Sequence, residues 1–121
     1  MNTANEAMKN YIEQTNTHDF TNVKKCLHND AYFIFTDSVC SNFIELETYF
    51  NDTWNTIKDE VYKIENLSWI VNEKDSAVCV YDFKYSGYIN NEYKEGTGKG
   101  TNVFLKKEND WLLIHEHLHS L

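Results

Sequence analysis

Hydrophobic residues in the first quarter of the chain recur at the spacing of an α-helix. One side of such a helix would carry Ala4, Ala7, Met8, Tyr11 and Ile12, while charged and amide residues occupy the other side. The pattern therefore predicts an amphipathic helix. Asp19 can cap a second, short helix, whose apolar stripe would consist of Phe20, Val23, Cys26 and Leu27.

A third and longer helix is predicted to begin at Ser41 or Asn42. Its apolar positions follow at helical intervals and are Phe43, Leu46, Phe50, Trp54 and Ile57. Residues 31–36, between the second and third helices, are rich in aromatic and β-branched side chains, which predicts a strand. The first half of the chain is thus expected to run helix, helix, strand, long helix.

The second half of the chain changes from a helical period to a period of two. Four strands are predicted, over residues 62–71, 77–88, 93–107 and 111–120, with a bulge near Asn66 where the apolar face changes. Helices that precede hairpins indicate an α+β fold, with helices packed on a curved, mainly antiparallel sheet. Because proline is absent and the glycines lie only between Gly87 and Gly100, no linker divides the chain, and residues 1–121 are expected to form one domain.

Composition narrows the classes of partner. The chain has 19 acidic residues against 11 lysines and no arginine, which gives a formal net charge of −8 at pH 7. This charge repels phosphates and anionic lipid headgroups, so neither a nucleic acid nor a membrane is expected as a partner. Three widely spaced cysteines predict reduced thiols, and the first residues lack a signal-peptide pattern. We therefore expect a cytoplasmic protein.

Three glycines, Gly96, Gly98 and Gly100, lie two residues apart in a segment that could suggest a phosphate-binding loop. Such a loop opens a helix, whereas this segment continues into the strand predicted over residues 93–107. A period of two places all three glycines on one face of that strand. Glycines in a strand indicate bending or the close approach of neighbouring groups, so we predict a structural role.

The last predicted strand carries the most chemistry. Strict alternation places Leu112, Ile114, Glu116 and Leu118 on one face. A carboxyl group among aliphatic neighbours is desolvated, which raises its pKa towards the neutral range in which an acid or base works. Glu116 is therefore the candidate catalytic residue. The alternative is a structural glutamate bonded to a neighbouring strand or to a lysine.

The opposite face of the same strand would carry Trp111, Leu113, His115, His117 and His119. Histidines two residues apart can converge on a metal ion, but no third ligand accompanies them, so neither a metal nor a cofactor is predicted. The sheet would have apolar residues on both faces. We expect helices to cover the concave face and a second copy of the chain to cover the convex face, with Leu113 in the homodimer interface.

Several further residues are candidates for ligand contacts. Aromatic walls would come from Tyr11, Tyr32, Trp54 and Trp69 if the helices and the sheet diverge at one end; otherwise these residues are core. A three-residue turn over residues 108–110 would set Asn102 opposite Glu116, whereas a two-residue turn would set Val103 there. His117 replaces Glu116 as the candidate if the strand faces are reversed.

The order of elements, together with several short motifs, resembles the SnoaL-like branch of the nuclear transport factor two-like superfamily. The motifs are Asp30-Ala31 before the first strand, Gly98-Lys99-Gly100-Thr101, Phe104, Trp111 and His115-Glu116-His117. The resemblance spans essentially the whole chain. His119 occupies the family's usual serine position, and Lys99 stands where relatives commonly have arginine, which weakens bidentate recognition of an anion there.

The resemblance implies a conical α+β domain, a pocket between the helices and the concave sheet, and a homodimer through the sheet. It does not imply one activity. One open function is an isomerase, cyclase or hydrolase that acts on a small apolar or weakly polar molecule with Glu116 as acid or base. The other is a noncatalytic ligand-binding or assembly module. Exposure of Glu116 to a cavity would favour the enzyme, and a lysine or backbone partner in a filled interior would favour the module.

Overall fold

A computed structural model describes all residues of the chain, 1–121. The elements are α1 (Ala4–Thr15), α2 (Phe20–Lys24), β1 (Leu27–Ile34), β2 (Val39–Cys40), α3 (Phe43–Thr56), β3 (Lys58–Asn72), β4 (Ser76–Ile89), β5 (Glu92–Lys107) and β6 (Asp110–Ser120). The strands form a single sheet in the order β2-β1-β6-β5-β4-β3, and only the β1–β6 pair is parallel. The predicted α+β class with a mostly antiparallel sheet is confirmed. None of the helices has the length and apolar character needed to cross a membrane.

The helices begin at side chains that cap them. The Asn42 side-chain oxygen accepts a hydrogen bond from the Glu45 amide at 2.9 Å, and the Asp19 carboxylate accepts one from the Thr21 amide at 2.9 Å. Such bonds satisfy amide groups that have no partner within the helix. The predicted starts of α2 and α3 are therefore confirmed.

The first strand begins earlier than predicted. α2 ends at Lys24, and Leu27, which the sequence pattern assigned to that helix, opens β1 and pairs with Leu113 of β6. The pairing is parallel and joins distant parts of the chain, so local periodicity could not reveal it. The two-residue strand β2 was also not predicted, because it is too short to show an alternation.

The predicted bulge in β3 is confirmed. Asn66 has φ 56°, and the pairing of β3 with β4 shifts between Glu65 and Ser68. β3 nevertheless begins at Lys58, four residues before the predicted start at residue 62. The additional residues become important because they reach the cavity described below.

A bulge in β6 corrects the predicted faces of that strand. Ile114 has no opposite residue in β5, so the alternation reverses at this point. Trp111 and Leu113, before the bulge, face the core and are 7% and 0% exposed, and Glu116, after the bulge, also faces inward at 2%. The prediction that Trp111 and Leu113 lie on the convex face, with Leu113 in a dimer interface, is wrong.

The same bulge determines which residue lies opposite Glu116. The turn between β5 and β6 contains two residues, Glu108 and Asn109, so Lys107 pairs with Asp110, and this pairing continued without a bulge would set Thr101 opposite Glu116. The extra residue in β6 moves the pairing by one position, and Asn102 is therefore opposite Glu116. Neither of the two turn lengths considered from the sequence predicts a two-residue turn together with Asn102 opposite Glu116.

The three glycines of β5 accommodate aromatic rings of β4. In register order, Gly96, Gly98 and Gly100 lie opposite Tyr85, Phe83 and Tyr81. A Cβ atom at Gly98 would lie 2.3 Å from the Phe83 ring and 2.3 Å from the carbonyl oxygen of His119. The predicted close approach is therefore confirmed, and it leaves room for Phe83 and Tyr85 to line the cavity.

The predicted apolar stripe of α3 faces the sheet. Leu46, Phe50 and Trp54 are buried. The Phe50 ring packs against the rings of Phe33 and Phe35 from the β1 region, with centroids 6.4 Å and 6.3 Å apart. Leu46 and Phe50 thus close the core, while α3 lines the cavity from Tyr49 to Thr56.

Candidate functional site

A cavity of about 710 Å³ lies between α1, the C-terminal half of α3 and the concave face of the sheet. Its volume is in the range of about 300–1,000 Å³ that is usual for small-molecule sites. Asp37 and Asp52, both exposed, belong to its lining where the β1–β2 loop meets α3. Eight of its twenty lining residues are aromatic, namely Tyr11, Phe35, Tyr49, Phe50, Trp54, Tyr62, Phe83 and Tyr85.

Glu116 lies buried in the wall of this cavity. Tyr11 Oη donates a hydrogen bond to Glu116 Oε2 at 3.1 Å, and Asn102 Nδ2 donates one to Oε1 at 3.2 Å. Burial raises the pKa of Glu116 to about 7, although these hydrogen bonds lower it in part. Both protonation states are therefore populated near neutral pH, so the group can give or accept a proton.

The Tyr81 hydroxyl provides a further partner for Glu116. Tyr81 Oη lies 2.7 Å from Asn102 Oδ1 and 3.3 Å from Glu116 Oε1. A hydroxyl has a single proton to donate, and the shorter distance assigns that proton to Asn102. Protonated Glu116 can in turn donate to the Tyr81 oxygen. The arrangement accommodates the neutral acid as well as the carboxylate.

Sequence reasoning missed two residues of the cavity, Glu60 and Tyr62 of β3. Glu60 is 9% exposed, and its carboxylate forms no hydrogen bond or ion pair; burial raises its pKa to about 7. The Tyr62 hydroxyl is buried without a hydrogen-bond partner, and burial raises the pKa of Tyr62 well above its usual value. Glu60 follows Lys58 and Asp59 in a segment with no apolar pattern, so nothing in the sequence marked it as buried.

The structure brings two of the predicted ligand contacts, Tyr11 and Trp54, to the cavity, together with the candidate catalytic residue Glu116. Asn102 does not line the cavity; it is fully buried and contacts Glu116 and Tyr81 instead. Trp69 also lies outside the lining.

Trp69 contacts α1 instead of the cavity. Its indole donates a hydrogen bond to Asn5 Oδ1 at 3.1 Å, and its ring packs against Phe104 with centroids 5.9 Å apart. Trp69 is therefore part of the packing between α1 and the sheet.

Two predicted ligand contacts lie on the wrong face of the sheet. Tyr32 is 44% exposed and stacks on His115 of the convex face, with ring centroids 6.3 Å apart. His117 is exposed on the same face, opposite to that of Glu116. The predictions that Tyr32 and His117 contact a ligand in the pocket are corrected, because strand alternation in β1 and β6 turns both side chains away.

Metal-binding side chains do not cluster. No group of three or more histidine, cysteine, aspartate or glutamate residues is arranged to hold a metal ion. Cys26, Cys40 and Cys79 are buried free thiols. The chemistry of the cavity therefore comes from carboxyl, hydroxyl and aromatic groups.

The family of the chain follows from its match to a family model. The model of the SnoaL-like domain matches residues 4–120. The chain belongs to the SnoaL-like domain family. The sequence resemblance is thereby confirmed over almost the full length, while none of the curated proteins matches the chain.

Solved structures share the fold of this SnoaL-like domain at low sequence identity. A nuclear transport factor 2-like superfamily protein from Salmonella enterica has a TM-score of 0.86 and 18% identity, over 95% of this chain and 86% of that one. A candidate calcium/calmodulin-dependent protein kinase II association domain from Xanthomonas campestris has a TM-score of 0.84 and 19% identity, over 94% and 82%. A candidate scytalone dehydratase from Novosphingobium aromaticivorans has a TM-score of 0.81 and 9% identity, over 97% and 80%. Such identities show the fold alone.

The two buried carboxyl groups of this SnoaL-like domain predict a pH-dependent stability. Burial raises the pKa values of Glu60 and Glu116 to about 7, from 4.5 for the exposed group. The folded state therefore binds more protons than the unfolded chain between these values. The contribution of the protonated, buried carboxyl groups to the unfolding free energy is fully present below pH 4.5, and it is lost as the pH rises through about 7. Each group should lower the unfolding free energy by about 2 kcal/mol between pH 5 and pH 8.

Urea unfolding of single variants at both pH values measures these contributions. Glu60→Gln and Glu116→Gln should each reduce the loss of stability between pH 5 and pH 8. Glu65→Gln is the matched control, because Glu65 of β3 is exposed and pairs with Lys84 at 3.3 Å. A pH profile that remains unchanged in both cavity variants would contradict the buried, raised-pKa state.

Proposed function

We propose that the chain is an enzyme that transfers a proton at a carbon atom next to a carbonyl group of a small molecule bound in the cavity. Glu116 is the acid and base, and the Tyr11 hydroxyl is a hydrogen-bond donor beside it. The observation that carries the proposal is a buried carboxyl group in the wall of a cavity, with no lysine and no backbone group bonded to it. This proton transfer is the step that isomerases and cyclases have in common.

The proposed step uses only groups of the cavity. The Glu116 carboxylate takes the proton from the carbon atom, and the electron pair of the broken C–H bond moves into the substrate to give an enolate. Once Glu116 is protonated it no longer needs the hydrogen bond from Tyr11, and the Tyr11 hydroxyl can donate to the enolate oxygen and stabilise its negative charge. Protonated Glu116 then returns the proton to the same or to another carbon atom. The raised pKa of Glu116, about 7, makes both directions accessible near neutral pH.

A deuterium-exchange experiment tests this proposal. We expect the protein to accelerate the exchange of the α-protons of 2-tetralone, a small aromatic ketone, in deuterated buffer near pH 7, as followed by proton NMR. Heat-denatured protein and buffer alone are the controls. Exchange no faster than in these controls would contradict the proposal for this class of ketone.

A second function has support of its own. Glu116 is well bonded by Tyr11 and Asn102, which also suits a structural glutamate, and one structural neighbour is named as a kinase association domain. The alternative is thus a noncatalytic ligand-binding or assembly module. It predicts no catalysed exchange, together with a lower melting temperature when Glu116 is replaced.

A homodimer through the convex face of the sheet forms part of the proposal. Half-buried apolar residues of neighbouring strands, including Val78, Val80, Val103 and Leu112, lie on that face. Burial of such a continuous surface against a second copy would remove apolar area from water. We expect a dimer at micromolar concentration by light scattering.

One substitution distinguishes this interface from other contacts. Val103→Glu should give a folded monomer, because the carboxylate would be desolvated and unpaired in the dimer. Ile44→Glu is the control, since Ile44 of α3 is 80% exposed and lies away from the sheet. A wild-type monomer, or a dimer that survives Val103→Glu, would contradict the proposed interface.

A further inference from the structure

The charges around the cavity are all of one sign. Its lining includes four carboxyl side chains, Asp37, Asp52, Glu60 and Glu116, but no lysine and no histidine. Asp37 already accepts a hydrogen bond from Tyr49 at 2.8 Å, and Glu116 is bonded to Tyr11 and Asn102. Neither the Asp52 nor the Glu60 carboxylate has a partner in the protein, but Asp52 is exposed, whereas Glu60 is buried.

The environment of Glu60 leaves its charge uncompensated. The side chain is nine-tenths buried, and neither Lys58 nor His18 pairs with the carboxylate. Lys58 is exposed, and His18 Nε2 donates to the backbone carbonyl oxygen of Glu60 at 2.9 Å. The Glu60 carboxylate oxygens are not sealed from solvent, unlike the Tyr62 hydroxyl, so they are open to the cavity. An ionised carboxylate in such a mostly buried position is stabilised by a bound group with a positive charge and N–H donors.

Tyr62 lies beside Glu60 in the same cavity. The two residues are two positions apart in β3, so their side chains stand on the same face of the strand, roughly 7 Å apart. The Tyr62 ring lines the cavity, whereas its hydroxyl is shielded from solvent and lies next to Tyr81. Tyr62 therefore offers a ligand its aromatic ring, and Glu60 offers the negative charge.

We propose that the natural ligand of the cavity is an organic cation, an aromatic or alicyclic molecule with an ammonium group, and that the Glu60 carboxylate binds the ammonium group beside the Tyr62 ring. The inference rests on the cavity being the ligand site of the proposed function, and it assigns the charge of that ligand. The aromatic walls suit the same ligand, since aromatic faces attract cations. A metal cation is not favoured, because no three ligating side chains come together.

Three probes of similar size and different charge test the assignment. Benzylammonium, benzyl alcohol and benzoate are titrated separately near pH 8, where Glu60 is mostly ionised, and binding is followed by NMR chemical shifts. Benzylammonium should bind about tenfold more tightly than benzyl alcohol, because hydrogen bonds to charged groups are stronger than neutral ones. Benzoate should bind more weakly than the alcohol. Equal or weaker binding of benzylammonium, or no binding of any probe, overturns the proposal.

Single substitutions identify the side chain that gives the cavity its preference for a cationic ligand. Glu60→Gln should reduce the preference for benzylammonium over the alcohol to about twofold or less, whereas Glu65→Gln, at an exposed position in the middle of β3, should leave it unchanged. Tyr62→Leu provides a second variant if Glu60→Gln does not fold, and it should weaken benzylammonium binding about threefold through the loss of one aromatic ring beside the cation. A preference that survives both cavity substitutions overturns the proposal. Equal binding of benzyl alcohol and benzylammonium would overturn the proposal of a cationic ligand but not the catalytic proposal. The deuterium exchange of 2-tetralone tests the catalytic proposal separately.

Discussion

Replacement of Leu113 with lysine is expected to unfold the protein. Leu113 is 0% exposed within the core that α1 and the sheet share. The substitution removes a buried aliphatic side chain, which typically costs about 2–5 kcal/mol, and adds a charge that has no buried partner. The sum is comparable with the whole stability of an ordinary domain, about 5–15 kcal/mol. Circular dichroism at 25 °C should show loss of the folded spectrum.

Leu112→Lys is the matched control for this substitution. Leu112 is the preceding residue of β6 and lies half-buried on the convex face. The long side chain of a lysine at this position can extend its ammonium group into water. The variant should therefore remain folded, while a dimer through this face should be weakened. A folded Leu113→Lys protein together with an unfolded Leu112→Lys protein would show that the faces of β6 are reversed before Ile114.

Replacement of Glu116 with glutamine is expected to reduce catalysed α-proton exchange by about 10²- to 10⁴-fold. Glutamine keeps the shape of the side chain, and its amide can still bond to Tyr11 and Asn102, but it cannot accept and return the proton. The melting temperature near pH 8 should not decrease, because the variant no longer buries an ionised carboxylate. The rate is measured by proton NMR with 2-tetralone, and the melting temperature by circular dichroism.

One comparison completes this test. Glu65→Gln, an exposed position that pairs with Lys84, should leave the exchange rate unchanged. Exchange that persists at the wild-type rate in Glu116→Gln would remove Glu116 from the mechanism, and a lower melting temperature without any catalysed exchange would favour the noncatalytic module.

The candidate site shows why strand alternation is a useful but incomplete guide. Strand alternation correctly predicted that Glu116 faces inward. Trp111 and Leu113 of the same strand also face inward, however, because Ile114 forms a bulge. A bulge depends on the pairing of β6 with β5. The sequence of β6 has no glycine or other local mark at this position, so the faces before the bulge could not be derived from the pattern.

The sequence by itself determined the class and order of the elements, the capped starts of α2 and α3, and Glu116 as the residue most out of place among aliphatic neighbours. These features depend on contacts within a few residues, or on a regular period, and both can be read along the chain. Only the tertiary structure decided the parallel β1–β6 pairing, the partner of Glu116 and the position of Tyr32 outside the cavity. It also decided the burial of Glu60 and Tyr62. Each of these depends on where distant segments meet, and a carboxylate in a polar segment becomes buried only when a helix and a sheet close over it.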